Sequence, residues 1–114
     1  MRPAPSDAGS DPLVREVWES VKHDAAGRAA ALDSAVRAYR DTRDERHRMA
    51  AVQEAHRLAG SLGSFGYADL SAAAARIEAA LAASRPDAAR STEAAHESAQ
   101  LSAGVAAAAR AIRR

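Results

Sequence analysis

The stretch that decides the fold reads Ala55-His56-Arg57-Leu58-Ala59-Gly60-Ser61-Leu62-Gly63-Ser64-Phe65-Gly66. It predicts the middle and end of a helix, because its large apolar residues recur at helical spacing. At about 100° per residue, His56, Gly60 and Gly63 fall within an arc of roughly 60° at the edge of the apolar stripe. Glycine inside a helix costs roughly 1 kcal/mol relative to alanine, so two glycines beside one histidine need a reason. Either this side packs closely against another helix, or the imidazole is left uncovered so that another molecule can reach it.

The composition of the 114-residue chain predicts one helical domain with a thin core. Hydrophobic residues make up 47%, but much of this is alanine, which favours helix and has little apolar area to bury. Aromatic residues are 4%, which argues against a β-sandwich or barrel. The chain has 16 lysines and arginines against 15 acids, so its net charge of +1 gives no strong attraction to nucleic acid or membrane. The absence of cysteine excludes disulfides and thiolate metal sites.

The beginning of the chain predicts neither a targeting signal nor an ordered segment. Residues 1–10 are rich in proline, glycine and serine and are expected to be a disordered lead-in to one domain over residues 11–114. No apolar segment of a signal peptide follows Met1, and no apolar run approaches the length of a membrane span. We therefore expect a cytoplasmic protein that does not bind membranes.

The first of four predicted helices begins at Asp11-Pro12, an N-cap followed by proline at the first helical position. It either runs unbroken to about residue 41 or divides near His23–Gly27, and the lack of proline there favours one continuous helix. Its apolar stripe is predicted to comprise Val14, Val17, Val21, Ala25, Ala29, Leu32, Val36 and Tyr39, flanked by Leu13 and Trp18.

The second predicted helix follows the charged run 41–45, is capped by Asp41 or Thr42, and ends near Ser64–Gly66. Its stripe is predicted to comprise Met49, Val52, Ala55, Leu58, Ala59 and Leu62. The third helix starts just after Gly66 and carries a stripe of Leu70, Ala74, Ile77 and Leu81.

The fourth predicted helix runs from about Pro86 to about Ile112, with Gly104 as a point where it could bend. Its stripe is predicted to comprise Ala94, Leu101, Val105, Ala108 and Ile112. Four amphipathic helices with short connections predict an all-α protein, an antiparallel up-and-down four-helix bundle.

Several other chemistries fit this sequence poorly. His47 and His56 point to opposite sides of one helix, and the other two histidines lack nearby ligands, so no metal site is predicted. No nucleophile motif of a catalytic triad is recognisable, although triads are assembled in space. The glycines after His56 do not follow a strand, so they are not a phosphate-binding loop. The arginines of the second helix alternate with acids and lack aromatic neighbours, which favours a solvated face over nucleic-acid binding.

The residues around His56 resemble the signature of histidine phosphotransfer (HPt) domains. That signature reads A-H-x-L-K-G-S, with a glycine ten residues after the histidine and a later L-E pair. The chain carries Ala55-His56-Arg57-Leu58-Ala59-Gly60-Ser61, then Gly66, then Leu70 and the pair Ile77-Glu78. The match covers the second and third predicted helices, and the length and number of helices agree with the family. Ala59 departs from the pattern, because the family has a lysine there that helps to hold the charge of the phosphoryl group.

The resemblance implies a phosphocarrier rather than an enzyme. His56 would accept a phosphoryl group from the aspartyl phosphate of a receiver domain and pass it to another receiver. The partners would be receiver domains or a hybrid histidine kinase, the receiver would supply Mg²⁺, and the chain itself would need no cofactor. We expect a monomer. Imidazole chemistry agrees, because an ordinary histidine pKa of about 6.5 leaves the ring neutral and nucleophilic near pH 7.

The predicted site follows from helical geometry around His56. The docking surface is expected to comprise Val52, Ala59, Gly60 and Gly63. The glycines would remove side chains from this surface, and the other two would provide a shallow apolar contact. None of the positions three or four residues from His56 carries a cation. Gln53 and the adjacent Arg57 are therefore the polar residues predicted to surround the phosphoryl group.

Two alternatives remain open. A helical interaction module of the same fold could bind receiver or kinase domains without transferring phosphoryl groups, and Ala59 favours this alternative. A dimerising helical domain of a histidine kinase would also need an ATP-binding domain, for which this chain has no room.

Overall fold

The computed structural model describes residues 12–82 and 87–110, which form four α-helices without a β-strand. The helices are α1 (Pro12–Thr42), α2 (Glu45–Ser64), α3 (Ala68–Ala82) and α4 (Ala88–Arg110). Each helix packs against the next, and α4 also packs against α1, so the four form a closed ring. Because consecutive neighbours are joined by short connections, the helices run alternately up and down, and the predicted antiparallel four-helix bundle is confirmed.

Some predictions concern parts of the chain outside the described residues. These are the disordered lead-in over residues 1–10, the cap at Asp11, the break near Pro86 and the burial of Ile112. Within the described ranges, no helix combines the length and apolar character that crossing a membrane requires.

Helix α1 is continuous, so the prediction of one long first helix is confirmed. Its regular pattern of buried side chains passes through Gly27 without a break, which keeps the same face against the bundle. The buried residues are Trp18, Ala25, Ala29, Leu32, Val36 and Tyr39.

The beginning of the α1 stripe was predicted wrongly. Val17 is 51% exposed and Leu13 is 72% exposed, whereas Trp18 is only 3% exposed. Trp18 lies two helical turns before the next buried residue and therefore shares its face. Its ring centroid is 5.3 Å from that of Phe65 and 5.0 Å from that of Tyr67. The aromatic cluster at the α2–α3 turn thus selects tryptophan rather than valine for the core.

Two residues, Arg43 and Asp44, connect α1 to α2. Arg43 has a φ of 59°, in the left-handed region that non-glycine residues rarely adopt. Asp44 then caps α2, because its carboxylate accepts a hydrogen bond from the backbone N–H of Arg46 at 2.9 Å. The predicted cap at Asp41 or Thr42 is wrong, since α1 continues through both residues.

The Asp44 cap is reinforced by charge. The Arg46 guanidinium donates to the same carboxylate at 2.8 Å. This hydrogen bond is the main reason why the pKa of Asp44 is lowered to about 2, with the backbone hydrogen bond from Arg46 second. The carboxylate is therefore ionised at neutral pH, where a negative charge at a helix N-terminus is favourable.

Helix α2 buries a narrow stripe that does not include Met49. The buried residues are Ala51, Ala55, Leu58 and Leu62. Met49 was predicted to be in the core but is 56% exposed, because at 100° per residue it lies about 160° around the helix from Ala51. The helix ends at Ser64, as predicted, and Gly66 follows with a φ of 83°, which glycine adopts without steric cost.

Helix α3 begins directly after this turn, as predicted. Its buried residues are Ala74, Ile77 and Leu81, and Leu70 is half-buried. The end of α3 is capped by Arg48 of α2, whose Nη1 donates to the Leu81 carbonyl at 2.7 Å. The Arg48 side chain is only 16% exposed, so this arginine does not belong to a solvated face.

Helix α4 starts after Asp87, whose carboxylate accepts a hydrogen bond from the backbone N–H of Arg90 at 2.8 Å. Its described end, Arg110, is close to the predicted end. The helix is continuous through Gly104, where an added Cβ would lie 2.8 Å from Leu70 Cδ2. Gly104 therefore lets α3 and α4 approach each other.

The core side of α4 is rich in small residues. Its buried residues are Ser91, Ala94, Ala95, Ser98, Leu101, Val105 and Ala109, and Ala108 is half-buried. The two buried serines are hydrogen-bonded: Ser91 accepts from Arg43 at 2.7 Å, and Ser98 donates to Asp33 at 2.8 Å. Because these side chains are small and the buried hydroxyls are hydrogen-bonded, α1 and α4 pack closely. This agrees with the thin core that the composition predicts.

Candidate functional site

His56 lies in the middle of α2, on the side that faces α3. Ala55 and Leu58 on the same helix are fully buried, so the backbone at this point is held firmly in the bundle. The imidazole itself projects from the edge of the buried stripe and is 75% exposed. A rigid backbone thus presents an accessible ring.

Glu78 of α3 contacts one nitrogen of this ring. Its Oε2 and Oε1 atoms lie 3.1 and 3.3 Å from His56 Nδ1. An ionised carboxylate can only accept a hydrogen bond, so Nδ1 is the donor. A neutral imidazole with its proton on Nδ1 has its lone pair on Nε2. His56 Nε2 makes no hydrogen bond with any described residue and is therefore available as a nucleophile.

The α2–α3 hairpin brings these two side chains to one level. His56 comes ten residues before Gly66, and Glu78 comes twelve residues after it. The register is held by Ser71, whose hydroxyl donates to the Ala59 carbonyl at 2.7 Å across the same interface. Glu78 enters the predictions from sequence only as part of the family signature, without a contact to His56. Glu78 and His56 are nearly equally far from Gly66 along the chain, and this spacing is the signal that indicates their contact.

The four residues of the predicted docking surface share the α2 side on which His56 lies. Val52 and Ala59 are half-buried, and Gly60 and Gly63 are exposed. A Cβ added to Gly60 would meet no atom within 4 Å, whereas one added to Gly63 would lie 3.3 Å from Ser71 Oγ. The fold therefore leaves open space at Gly60, while Gly63 also serves the approach of α3.

The predicted polar neighbours lie on the opposite side of the imidazole from Glu78. Gln53 is exposed, and the Arg57 side chain is 59% exposed. Arg57 does not point to His56 but contacts Glu54, with 3.5 Å between Nη1 and Oε2. The ion pair of Glu54 with Arg57 was not predicted from the sequence, although a glutamate three residues before an arginine on one helix indicates such a pair.

Glu54 also approaches α1. Arg28 Nη1 lies 3.6 Å from Glu54 Oε1, longer than a hydrogen bond, and Arg28 Nε donates to Asp24 at 2.9 Å. The hydrogen bond with Asp24 is the main reason why the pKa of Arg28 is raised, with smaller contributions from the charges of Asp24 and Glu54. A row of alternating charges thus runs from α1 to the edge of the candidate site.

The other three histidines have no comparable setting. His23 and His96 are exposed, and His47 is half-buried. Across residues 12–82 and 87–110, no group of three or more histidine, aspartate or glutamate side chains is arranged to hold a metal ion.

Comparison with protein families agrees with this arrangement of helices and site. The family model described as the Hpt domain matches residues 16–111, so the chain belongs to the Hpt domain family. This is a family of phosphocarriers in two-component phosphorelays, which interact with receiver domains and kinases. Neither the curated proteins nor the solved structures contain a match to the chain.

Proposed function

We propose that this protein transfers phosphoryl groups between receiver domains, with His56 as the phosphoryl acceptor and donor. The observation that supports the proposal is the geometry of the imidazole. His56 is 75% exposed, and the contact between Nδ1 and Glu78 leaves the Nε2 lone pair directed to the solvent. A nucleophile that receives its substrate from another protein has to be exposed in this way.

The reaction needs one bond to form and one to break. His56 Nε2 attacks the phosphorus of an aspartyl phosphate, the N–P bond forms, and the P–O bond to the aspartate breaks. The receiver recovers a free carboxylate, and Nδ1 keeps the proton that it shares with Glu78. The reverse steps return the phosphoryl group to another aspartate. The receiver supplies the acidic pocket and Mg²⁺, so the bundle contributes a positioned nucleophile.

The receiver would dock on the α2 surface formed by Val52, Ala59, Gly60 and Gly63. The open space at Gly60 supports this assignment, because no neighbouring atom of the described chain explains a glycine there. A mid-helix glycine costs roughly 1 kcal/mol, and room for a partner's atoms would offset that cost. Gln53 and Arg57 would then lie beside the transferred group.

The alternative is a bundle that binds receiver or kinase domains without taking up phosphoryl groups. Ala59 supports this alternative, because no lysine follows His56 by one helical turn. The two functions differ in one measurable property, a covalent label on His56.

The test is incubation of the protein with a panel of radiolabelled, phosphorylated receiver domains. We expect label to appear on the wild type and on the His23→Gln, His47→Gln and His96→Gln variants, but not on His56→Gln. The label should be lost in acid and retained in base, as expected for a phosphoramidate. Label retained in full by His56→Gln would contradict the assignment. Receiver binding without any label would favour the interaction module.

A further inference from the structure

We propose that Arg57 alternates between two anions, the Glu54 carboxylate when His56 is free and the phosphoryl group when His56 carries one. Arg28 would stay with Glu54 after Arg57 leaves. The proposal rests on the proposed function of His56 and adds a charge partner for the phosphorylated state.

A phosphoryl group on His56 would begin with an unfavourable charge environment. Such a group carries between one and about two negative charges at neutral pH. Glu78 is an acid on one side, and the residues one helical turn away on α2 carry no positive charge. Arg76 of α3 is engaged with Glu97 of α4 at 3.3 Å. The nearest cation along α2 is Arg57, the next residue in the chain.

The position of Arg57 allows it to reach either anion. On the surface of α2 it lies between the two, with Glu54 about 60° away in one direction and His56 about 100° away in the other. The Arg57 side chain is 59% exposed, so much of its length is surrounded by solvent rather than by other side chains. Rotation of its side chain can therefore carry it from Glu54 towards His56 without movement of the backbone.

Glu54 can release Arg57 without becoming an isolated charge. The Glu54 side chain is 21% exposed, and its Oε1 atom is buried without a hydrogen bond. A buried carboxylate that lost every cation would be strongly destabilising. Arg28 prevents this, because it remains 3.6 Å from Oε1 and is itself held by Asp24 at 2.9 Å. The Glu54 carboxylate and the phosphoryl group therefore compete for the Arg57 guanidinium, and the strength of the pair with Glu54 determines how much of the arginine contacts the phosphoryl group.

The experiment is a pH titration, followed by ³¹P NMR, of the His23→Gln/His47→Gln/His96→Gln protein, in which His56 is the one histidine left for potassium phosphoramidate to label. The measured quantity is the second ionisation constant of the phosphoryl group, which a nearby cation increases. Exposed ion pairs correspond to a change of about 1.4-fold to fivefold in such a constant. We expect Arg57→Gln to decrease it by that factor, Arg57→Lys to retain most of the wild-type value, and Glu54→Gln to increase it.

A double-mutant comparison separates exchange of Arg57 from the direct field of Glu54. If Glu54 acts through Arg57, Glu54→Gln has no further effect in the Arg57→Gln background. Asp41→Asn is the matched control, because it removes a carboxylate from Arg40 rather than from Arg28 or Arg57, and it should leave the constant unchanged. Thermal unfolding of each variant checks that the bundle is intact.

The outcomes distinguish the proposals. If the protein takes up label but Arg57→Gln leaves the ionisation constant of the phosphoryl group unchanged, the role of Arg57 is overturned and His56 remains the acceptor. An effect of Glu54→Gln that persists without Arg57 overturns the exchange. Failure of His56 to take label from phosphoramidate and from receivers overturns the proposed function, and this inference falls with it.

Discussion

The contact of Glu78 with His56 Nδ1 determines which imidazole nitrogen is free to react. Without it, the proton is distributed over both nitrogens and the ring rotates more freely, so fewer molecules present a lone pair on Nε2. We expect Glu78→Ala to slow phosphoryl uptake by about twofold to tenfold, the range for loss of one hydrogen bond of about 0.5–1.5 kcal/mol. Single-turnover transfer from a phosphorylated receiver measures this rate.

Glu97→Ala is the matched control for Glu78. Glu97 also forms an ion pair across a helix interface, with Arg76 at 3.3 Å, and its side chain is similarly exposed at 29%. Loss of that pair should change stability slightly and leave the transfer rate unaltered. Equal slowing by both variants would show that Glu78 contributes to the bundle in general rather than to the orientation of His56.

Ala59 is the position where an added charge should help a phosphorylated His56. It lies three residues after His56 and is half-buried, so a lysine there could extend along the α2 surface towards the phosphoryl group. We expect Ala59→Lys to increase the equilibrium share of phosphoryl on this protein relative to one receiver. An exposed pair worth about 0.2–1 kcal/mol limits the gain to about fivefold.

Salt provides the check on the Ala59→Lys effect. Screening shortens the range of exposed charge interactions, so the gain should be largest at low salt and shrink as salt rises. No gain at low salt would mean that Arg57 or the receiver already supplies the required charge.

At the level of one helix, the glycines of α2 lower the stability of the helix and keep the proposed docking surface free of side chains. Gly60 has no atom within 4 Å of an added Cβ, so Gly60→Leu should fit the free protein and stabilise α2 by up to about 1 kcal/mol. The same side chain would occupy the proposed docking surface and should slow transfer from a receiver. Thermal unfolding and transfer rates on this variant separate the two effects.

Gly27 of α1 offers a control for Gly60 on another helix. It is also exposed, lies inside a helix, and has open space around an added Cβ. Gly27→Leu should therefore stabilise the protein comparably and leave transfer unchanged. A fall in transfer with both variants would indicate that helix rigidity, rather than access to His56, limits the reaction.

The elements themselves could largely be predicted from apolar periodicity, but the connection of α1 to α2 could not. The charged run suggested a cap at Asp41 or Thr42, yet α1 continues and turns only at Arg43, whose left-handed conformation has no simple sequence signal. Arg43 is held by one contact distant in sequence, a hydrogen bond that its guanidinium donates to Ser91, and by the ring of nearby Tyr39, whose centroid lies 4.8 Å away. Tertiary contacts thus decided a local boundary.

The candidate site was predictable along α2 but not across to its neighbours. The resemblance pointed to His56, and helical spacing grouped it with Gly60 and Gly63. The contacts of Glu78 with His56 and of Glu54 with Arg28 depend on how α3 and α1 pack against α2 and on the side chains' rotamers. Neither follows from the periodicity of a single helix.

For the whole molecule, the aromatic cluster of the core and the candidate site lie at different levels along the bundle. The core closes at the α2–α3 turn, where Trp18 packs on Phe65 and Tyr67. His56 lies nine residues before Phe65, which corresponds to about 13.5 Å along a helix. Stability and phosphoryl transfer should therefore respond to different substitutions.

Trp18 and the adjacent Val17 test this separation. Truncation of a buried aromatic side chain costs about 3–5 kcal/mol, so Trp18→Ala should lower the free energy of unfolding by that amount. Val17 is 51% exposed, and Val17→Ala should change it by no more than about 0.5 kcal/mol. Urea unfolding followed by circular dichroism measures both.

Under conditions where the Trp18→Ala protein remains folded, its His56 should still take up label at a rate close to that of the wild type. Equal destabilisation by the two variants would place Val17 in the core, and loss of labelling by folded Trp18→Ala would show that the aromatic cluster holds the site as well as the fold.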